Sequence, residues 1–167
     1  MTATNDLIER FEDGADVLAY ATQGLAHDQL TARPGPGDWS IAEVVHHLVD
    51  TDLVYGDRIK RLIAEPDPRI EGFDETAWVV KLDYQNQPLP DAIALFAAHR
   101  RAMARLLRTQ PQSVFANKGT HSERGAVTLA DILATITSHL DHHLRFLYTK
   151  RANLGVALEP KYTGISP

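Results

Sequence analysis

Apolar residues recur at intervals of three and four along four long segments of the chain, and this period settles most of what it can fold into. Side chains at that interval share one face of an α-helix, so each segment carries a stripe that must be buried against another element. The first segment, about 5–25, holds Leu7, Ile8, Phe11, Val17, Leu18 and Leu25 and stops before the proline- and glycine-rich "TARPGPGDWS". The second opens at "SIAE", where Ser40 and Glu43 have capping-box spacing. It runs through Ile41, Val44, Val45, Leu48, Tyr55, Ile59, Leu62 and Ile63 to "EPDP". The third begins at "PLPDA", with Pro90 in its first turn, carries Ile93, Leu95, Phe96, Met103, Leu106 and Leu107, and ends at Pro111. The fourth begins at "TLAD", with Thr128 as N-cap, and carries Leu129, Ile132, Leu133, Ile136, Leu140, Leu144 and Leu147.

No long alternating run competes with these segments, so the expected fold is all-α, a four-helix bundle with two long connections. "FDETAWVVKLDYQ" predicts a short extra helix over about 74–82, and "SVFANKGTHSERGAV" a loop with brief extended pieces. From Asn153 onward Gly155, Pro160, Gly164 and Pro167 leave no period. The expected organisation is one bundle domain over 1–152 and a tail over 153–167.

Composition narrows the chemistry. A net charge of −5 argues against nucleic acid or an anionic membrane as partner. No apolar run is long enough to span a bilayer, and "MTATNDLIERFEDGADVLAY" has acids where a secretory signal needs a basic and then an apolar region. Cysteine is absent, which removes disulfides, thiolate metal sites and a cysteine nucleophile together and fits a cytoplasmic protein. Eight histidines then stand out as carriers of chemistry.

"SHLDHHLRFL" places His139 and His143 four apart within the apolar stripe of the fourth segment. On a helix their Cβ atoms are roughly 6 Å apart and can converge on one point. They read either as two core histidines, each needing its own polar partner, or as two ligands that one divalent ion satisfies at once. His47 flanks the stripe of the second segment and reads as a boundary residue or as a third ligand. Three neutral imidazoles suit zinc, nickel or iron and leave coordination positions open. His142 falls on the polar row of Asp131, Thr135 and Ser138, and His46 points about 100° away from His47. His27 reads as a surface residue. His99 interrupts the third stripe between Phe96 and Met103, as a satisfied core residue or as part of a cavity wall near the ion. His121, in the loop before the fourth segment, stands where a side chain reaches over a site mouth. Asp52 interrupts the second stripe and reads as a carboxylate holding a histidine tautomer or as the partner of an arginine. Arg100, Arg101, Arg105 and Arg108 read as a solvated helix face or as a hold for an anionic ligand.

Three stretches, "RPGPGDWSIAEVVHHLVDTD", "FDETAWVVKLDYQNQPLPDAIALF" and "THSERGAVTLADILATITSHLDHHL", together resemble the DinB/YfiT-like superfamily over roughly residues 5–150. The most specific elements are W-S-x-x-E-V-x-x-H-L at the start of the second segment and H-x-x-x-H-L in the fourth. The resemblance implies an up-down-down-up four-helix bundle, dimeric in many members, with a divalent metal on three histidines. Carried over residue by residue, those ligands fall on His47, His139 and His143. "GAVTLADIL" matches the family's approach to its last helix, with His121 where a histidine usually precedes it. Members similar to this chain transfer low-molecular-weight thiols such as bacillithiol and mycothiol, isomerise substrates with mycothiol, or are described as metal-dependent hydrolases. A DNA-damage-inducible member lends the superfamily its name without implying DNA binding.

The expectation is therefore a divalent-metal-dependent enzyme that activates water or a low-molecular-weight thiol, for hydrolysis or S-transfer to a small electrophile. His121 and His99 are the candidate catalytic acid or base. No fourth ligand is evident, so the open positions are expected to face a pocket lined by Phe96, His99 and the loop at His121. Expected partners are a small-molecule substrate and a second copy of the chain. The alternative is a non-catalytic metal- or ligand-binding module of the same family.

Overall fold

The computed structural model describes residues 3–33 and 38–161. The Pro34–Gly37 loop and the tail beyond Lys161, both read as irregular from sequence, lie outside the described residues. In chain order the elements are α1 (Ala3–Asp13), α2 (Val17–Thr22), α3 (His27–Thr31), α4 (Ile41–Ala64), β1 (Arg69–Ile70) and α5 (Glu75–Lys81). There follow α6 (Leu89–Arg108), β2 (Lys118–His121), β3 (Gly125–Thr128) and α7 (Leu129–Asn153). The two long helices that begin with a hydroxyl residue start where their caps dictate. Ser40 Oγ accepts the Glu43 N–H at 3.2 Å while Glu43 Oε2 accepts the Ser40 N–H at 2.7 Å. Thr128 and Asp131 repeat the exchange at 3.1 and 2.9 Å. These pairs satisfy donors that a helix start leaves orphaned.

The first segment is not one helix. A 3₁₀ turn at Gly14–Asp16 separates α1 from α2 although the apolar period runs on through Val17 and Leu18. Gly14 is pressed against the bundle interior, where an added Cβ would lie 2.7 Å from Leu140 Cδ2 and overlap the Arg100 guanidinium. The break follows from what packs there, which local sequence does not report.

Contacts along the helices fix their directions. Arg100 meets Asp52 and His46 meets Gln87, so α4 and α6 run parallel. His47 meets His139 and Leu62 meets Asn117, so α7 runs back against α4. Arg10 pairs with Asp141 and Arg151 reaches Ala21, placing the α1–α2 unit parallel to α7. Arg101 pairs with Asp16 and Arg108 with Glu12, setting that unit antiparallel to α6. The result is the up-down-down-up bundle, with α4 packed on both α6 and α7. One end carries a small sheet of order β1-β2-β3, β1 parallel to β2 and β2 antiparallel to β3, with Thr120 opposite Ala126. The extended pieces expected before α7 are β2 and β3. β1 was not legible, because two residues become a strand only by pairing with a distant one.

The core falls into two apolar clusters. One gathers Ile8, Phe11, Ile59, Leu62, Met103 and Ile132 toward the sheet, and the other Leu18, Val45, Leu48, Phe96, Leu140 and Leu147 toward the opposite end. Between them lies Arg100, 0% exposed. Its Nε and Nη2 donate to the two oxygens of Asp52 at 2.9 and 2.7 Å, and Nη1 donates to the Phe11 carbonyl at 3.2 Å. The rings of Phe11 and Phe96 sit at 4.5 and 4.6 Å from its Cζ. Arg100 is thus a core residue and not part of a solvated face, a correction to the sequence reading. Arg101, Arg105 and Arg108 are exposed as expected. Asp52 resolves as the partner of an arginine.

Candidate metal centre

His47 on α4 and His139 and His143 on α7 come together because the two helices are antiparallel neighbours and each histidine lies on its helix's inward face. One nitrogen from each of the three lies within 4.8 Å of the others. His47 Nε2 and His139 Nε2 are 3.1 Å apart. The ring centroids are separated by 5.0, 4.7 and 4.5 Å, with the planes inclined at 61–64°. His142 is exposed, packing on Phe146, and His27 is exposed as well. His46 is half-buried, its Nε2 3.3 Å from the Gln87 carbonyl.

Burial holds all three rings neutral. Desolvation, reinforced by His139, lowers His47 to about 3. Desolvation lowers His139 to about 4, with Asp52 acting in the opposite sense. Desolvation and then the two neighbouring rings lower His143 to about 3. Neutral imidazole is the form that binds a metal. The cluster is also incompletely satisfied, since His139 Nδ1 is buried without a hydrogen-bond partner. An orphaned buried nitrogen costs about 1–3 kcal/mol. Three neutral nitrogen donors facing one point fit a divalent cation in both donor chemistry and arrangement.

The surroundings were only partly legible in the sequence. Trp39, just before the α4 cap, lies 4.9 Å from the His47 ring and runs nearly parallel to His143 at 6.3 Å. Its position was marked by the W-S-x-x-E motif, without a role. Glu75, in the first turn of α5, brings Oε2 to 3.9 Å from His47 Nε2. Desolvation raises its carboxyl, and the charges of Arg58 and Arg124 oppose that rise. Nothing in its spacing marked it, because only the docking of α5 on α4 brings it there. Thr51 Oγ1 stands 3.5 Å from His47 Nδ1. A cavity of about 220 Å³ opens beside His143, lined by Asp38, Trp39, Val44, Phe146 and Lys150.

The expected pocket walls differ from these. Phe96 is in the core at 1% exposure. His99 packs on Gly56, where an added Cβ would come within 2.6 Å of its Cε1, and its Nδ1 is 3.6 Å from Asp52 Oδ2. Gly56 is nine residues from His47 and therefore about 180° round α4. The structure thus sets His99 across α4 from the three-histidine cluster. His121 ends β2, buried, with Nδ1 accepting the Glu123 N–H at 3.1 Å. It stands among Arg58, Arg124 and Glu123 and makes no ring contact with the three.

The family model for the DinB superfamily matches residues 10–147, a span that reaches into all four bundle units and holds the three histidines. The chain belongs to the DinB superfamily. A relative from Oceanobacillus iheyensis is 29% identical over 140 residues, covering 84% of this chain and 81% of its own. One from Geobacillus thermodenitrificans is 28% identical over 141 residues, covering 84% and 79%. Both are provisionally named metal-dependent hydrolases. YfiT from Bacillus subtilis, provisionally described in the same way and as having an unusual four-helix bundle topology, superposes with a TM-score of 0.86 at 25% identity, over 93% of this chain and 90% of its own. A second DinB-like structure from that organism, YjoA, superposes at 0.65 with 16% identity, over 94% and 96%, a likeness of fold. Among the described residues no helix is long and apolar enough to cross a membrane.

Proposed function

We propose that the chain is a divalent-metal-dependent hydrolase whose ion is held by His47, His139 and His143. The observation that carries this reading is the convergence of three neutral imidazole nitrogens from two helices. Bound there, a zinc, nickel or iron ion supplies Lewis acidity that brings the pKa of a water or thiol toward neutrality. The protein's own groups do the rest. Glu75 Oε2 lies beside His47 and accepts the proton leaving the nucleophile. Trp39 covers two of the rings and excludes bulk water from that side. The cavity at His143 admits the substrate, with Trp39 and Phe146 for an apolar portion. The names of the relatives support hydrolysis over S-transfer. A cavity that opens beside one of the ligands favours catalysis over a closed structural site.

Metal analysis of protein prepared without an affinity tag tests the ligand set. His143→Ala should abolish stoichiometric metal and His142→Ala should leave it intact. Equal loss in both variants would show that the register is wrong. Glu75→Gln should keep the metal while lowering hydrolysis of activated esters roughly 10²-fold or more. Activity that needs an added thiol and releases a thioether instead would replace hydrolysis with S-transfer.

A further inference from the structure

Arg58 is buried, 5% exposed, with no carboxylate in direct contact; the charge of Glu123 acts on it from a distance. A guanidinium cannot shed its charge, and burying it uncompensated is costly. Nη2 donates to the Glu71 carbonyl at 2.6 Å, and the group lies over the Tyr55 ring with Cζ 4.5 Å from its centroid. Its Nε, shielded from solvent, has no acceptor. Among the described residues no carboxylate stands within ion-pair distance of it. Arg58 lines a cavity of about 300 Å³ whose other charges are already matched. Arg61 Nε holds Asp57 at 2.7 Å, and Arg69 Nε holds Glu71 at 2.5 Å. Arg61 also meets Glu65 at 3.6 Å, so of the three arginines lining the cavity only Arg58 has no carboxylate in contact.

Two further groups lean the same way. His121 takes the Glu123 N–H on Nδ1, which leaves its own proton on Nε2 as a donor. The charges of Arg58 and Arg124 act on that ring, and those of Glu123 and Glu71 act against them. Arg58 also shares a face of α4 with His47. Eleven residues bring the helix round to within about 20°, at a rise of roughly 16 Å. Glu75 lies close to His47 and within the field of both arginines.

We propose that Arg58, with His121 and Arg124 beside it, binds an anionic group, a carboxylate or a phosphate, at the far end of a substrate whose reacting bond sits at the three histidines. The proposal rests on the metal-site reading above and adds to it the substrate class: elongated and carrying a negative charge remote from the reacting bond.

Two probes test it on the full-length chain. Octanedioic acid monohydroxamate carries a metal-seeking head and a carboxylate tail, and its counterpart ends in a primary amide. Titrated calorimetrically into metal-loaded protein, the carboxylate form should bind roughly tenfold to a hundredfold tighter. Arg58→Gln should erase that advantage and leave the amide's affinity unchanged. Equal affinity of the two forms for the wild-type protein, which needs no variant to fold, would overturn the anion site and leave the three-histidine centre standing. Hydroxamate heads that bind equally well to His47→Ala would sink the metal reading instead, while a persisting carboxylate advantage would still score Arg58. Inorganic phosphate added to metal-free protein gives an arm independent of the metal. The Arg58 Nε–H resonance should move saturably, and a shift that grows linearly without saturating would count against the site.

Discussion

At the level of single residues, the candidate centre depends on imidazoles that fold neutral, and this makes acid its natural antagonist. Folded values near 3 to 4 lie below the ordinary value of about 6.5 for an exposed histidine. Above 6.5 the rings are neutral in both states and proton uptake costs nothing. Below it the unfolded chain takes up protons that the folded chain refuses until pH 3–4, so stability falls across that window. Metal-free protein should therefore lose up to about 1.4 kcal/mol per pH unit for each imidazole on acidification from 6.5. Urea midpoints at pH 7.5, 5.5 and 4.5 check this, and a flat profile would mean the rings are hydrated. A second residue-level test concerns Gly56, which leaves room for His99. Gly56→Ala should destabilise the wild-type protein by displacing that ring. In a His99→Ala background the same change should stabilise by about 1 kcal/mol, through helix propensity alone. His139 and His143 were legible because a spacing of four on an apolar stripe is local information. His47 was legible from its stripe together with the W-S-x-x-E context. Glu75 and Arg58 were not, because their significance comes from docking between segments distant in sequence. His99 and Phe96 were placed on the pocket wall by stripe logic alone, which identifies an inward face but not which neighbour that face meets.

Among the elements, α5 matters beyond its seven residues because it carries Glu75 to the centre. Its start is fixed by Asp74, whose Oδ1 accepts the Ala77 N–H at 2.9 Å. Asp74→Ala should remove about 0.5–2 kcal/mol from that short helix and fray it. The expected signature is faster amide exchange confined to 75–81, reduced hydrolytic rate and undiminished metal content. Loss of metal in this variant would give Glu75 a ligand's role. The long helices were readable from their period and caps, and α5 from its cap and short apolar run. The split between α1 and α2 was not readable, since Val17 and Leu18 stay in phase while Gly14 yields to Arg100.

For the molecule as a whole, Arg100 links all four bundle units: it projects from α6, pairs with Asp52 of α4, donates to the Phe11 carbonyl of α1 and approaches the Ile136 carbonyl of α7 at 3.5 Å. Arg100→Met leaves Asp52 charged and alone in the core, which should cost about 3–5 kcal/mol. Arg100→Met combined with Asp52→Leu should recover most of that loss, as measured by chemical unfolding of both variants. An uncorrected double variant would mean that the backbone carbonyls, not the carboxylate, are what the arginine serves. The topology has one more consequence, for the order of events in a cell. His47 and His139 are separated by 92 positions, and α7 ends the bundle. A chain still emerging from the ribosome displays one of the three imidazoles and no site. On the proposed metal reading, the three-histidine set is complete only once α7 has joined α4, so the ion is taken up by the finished protein.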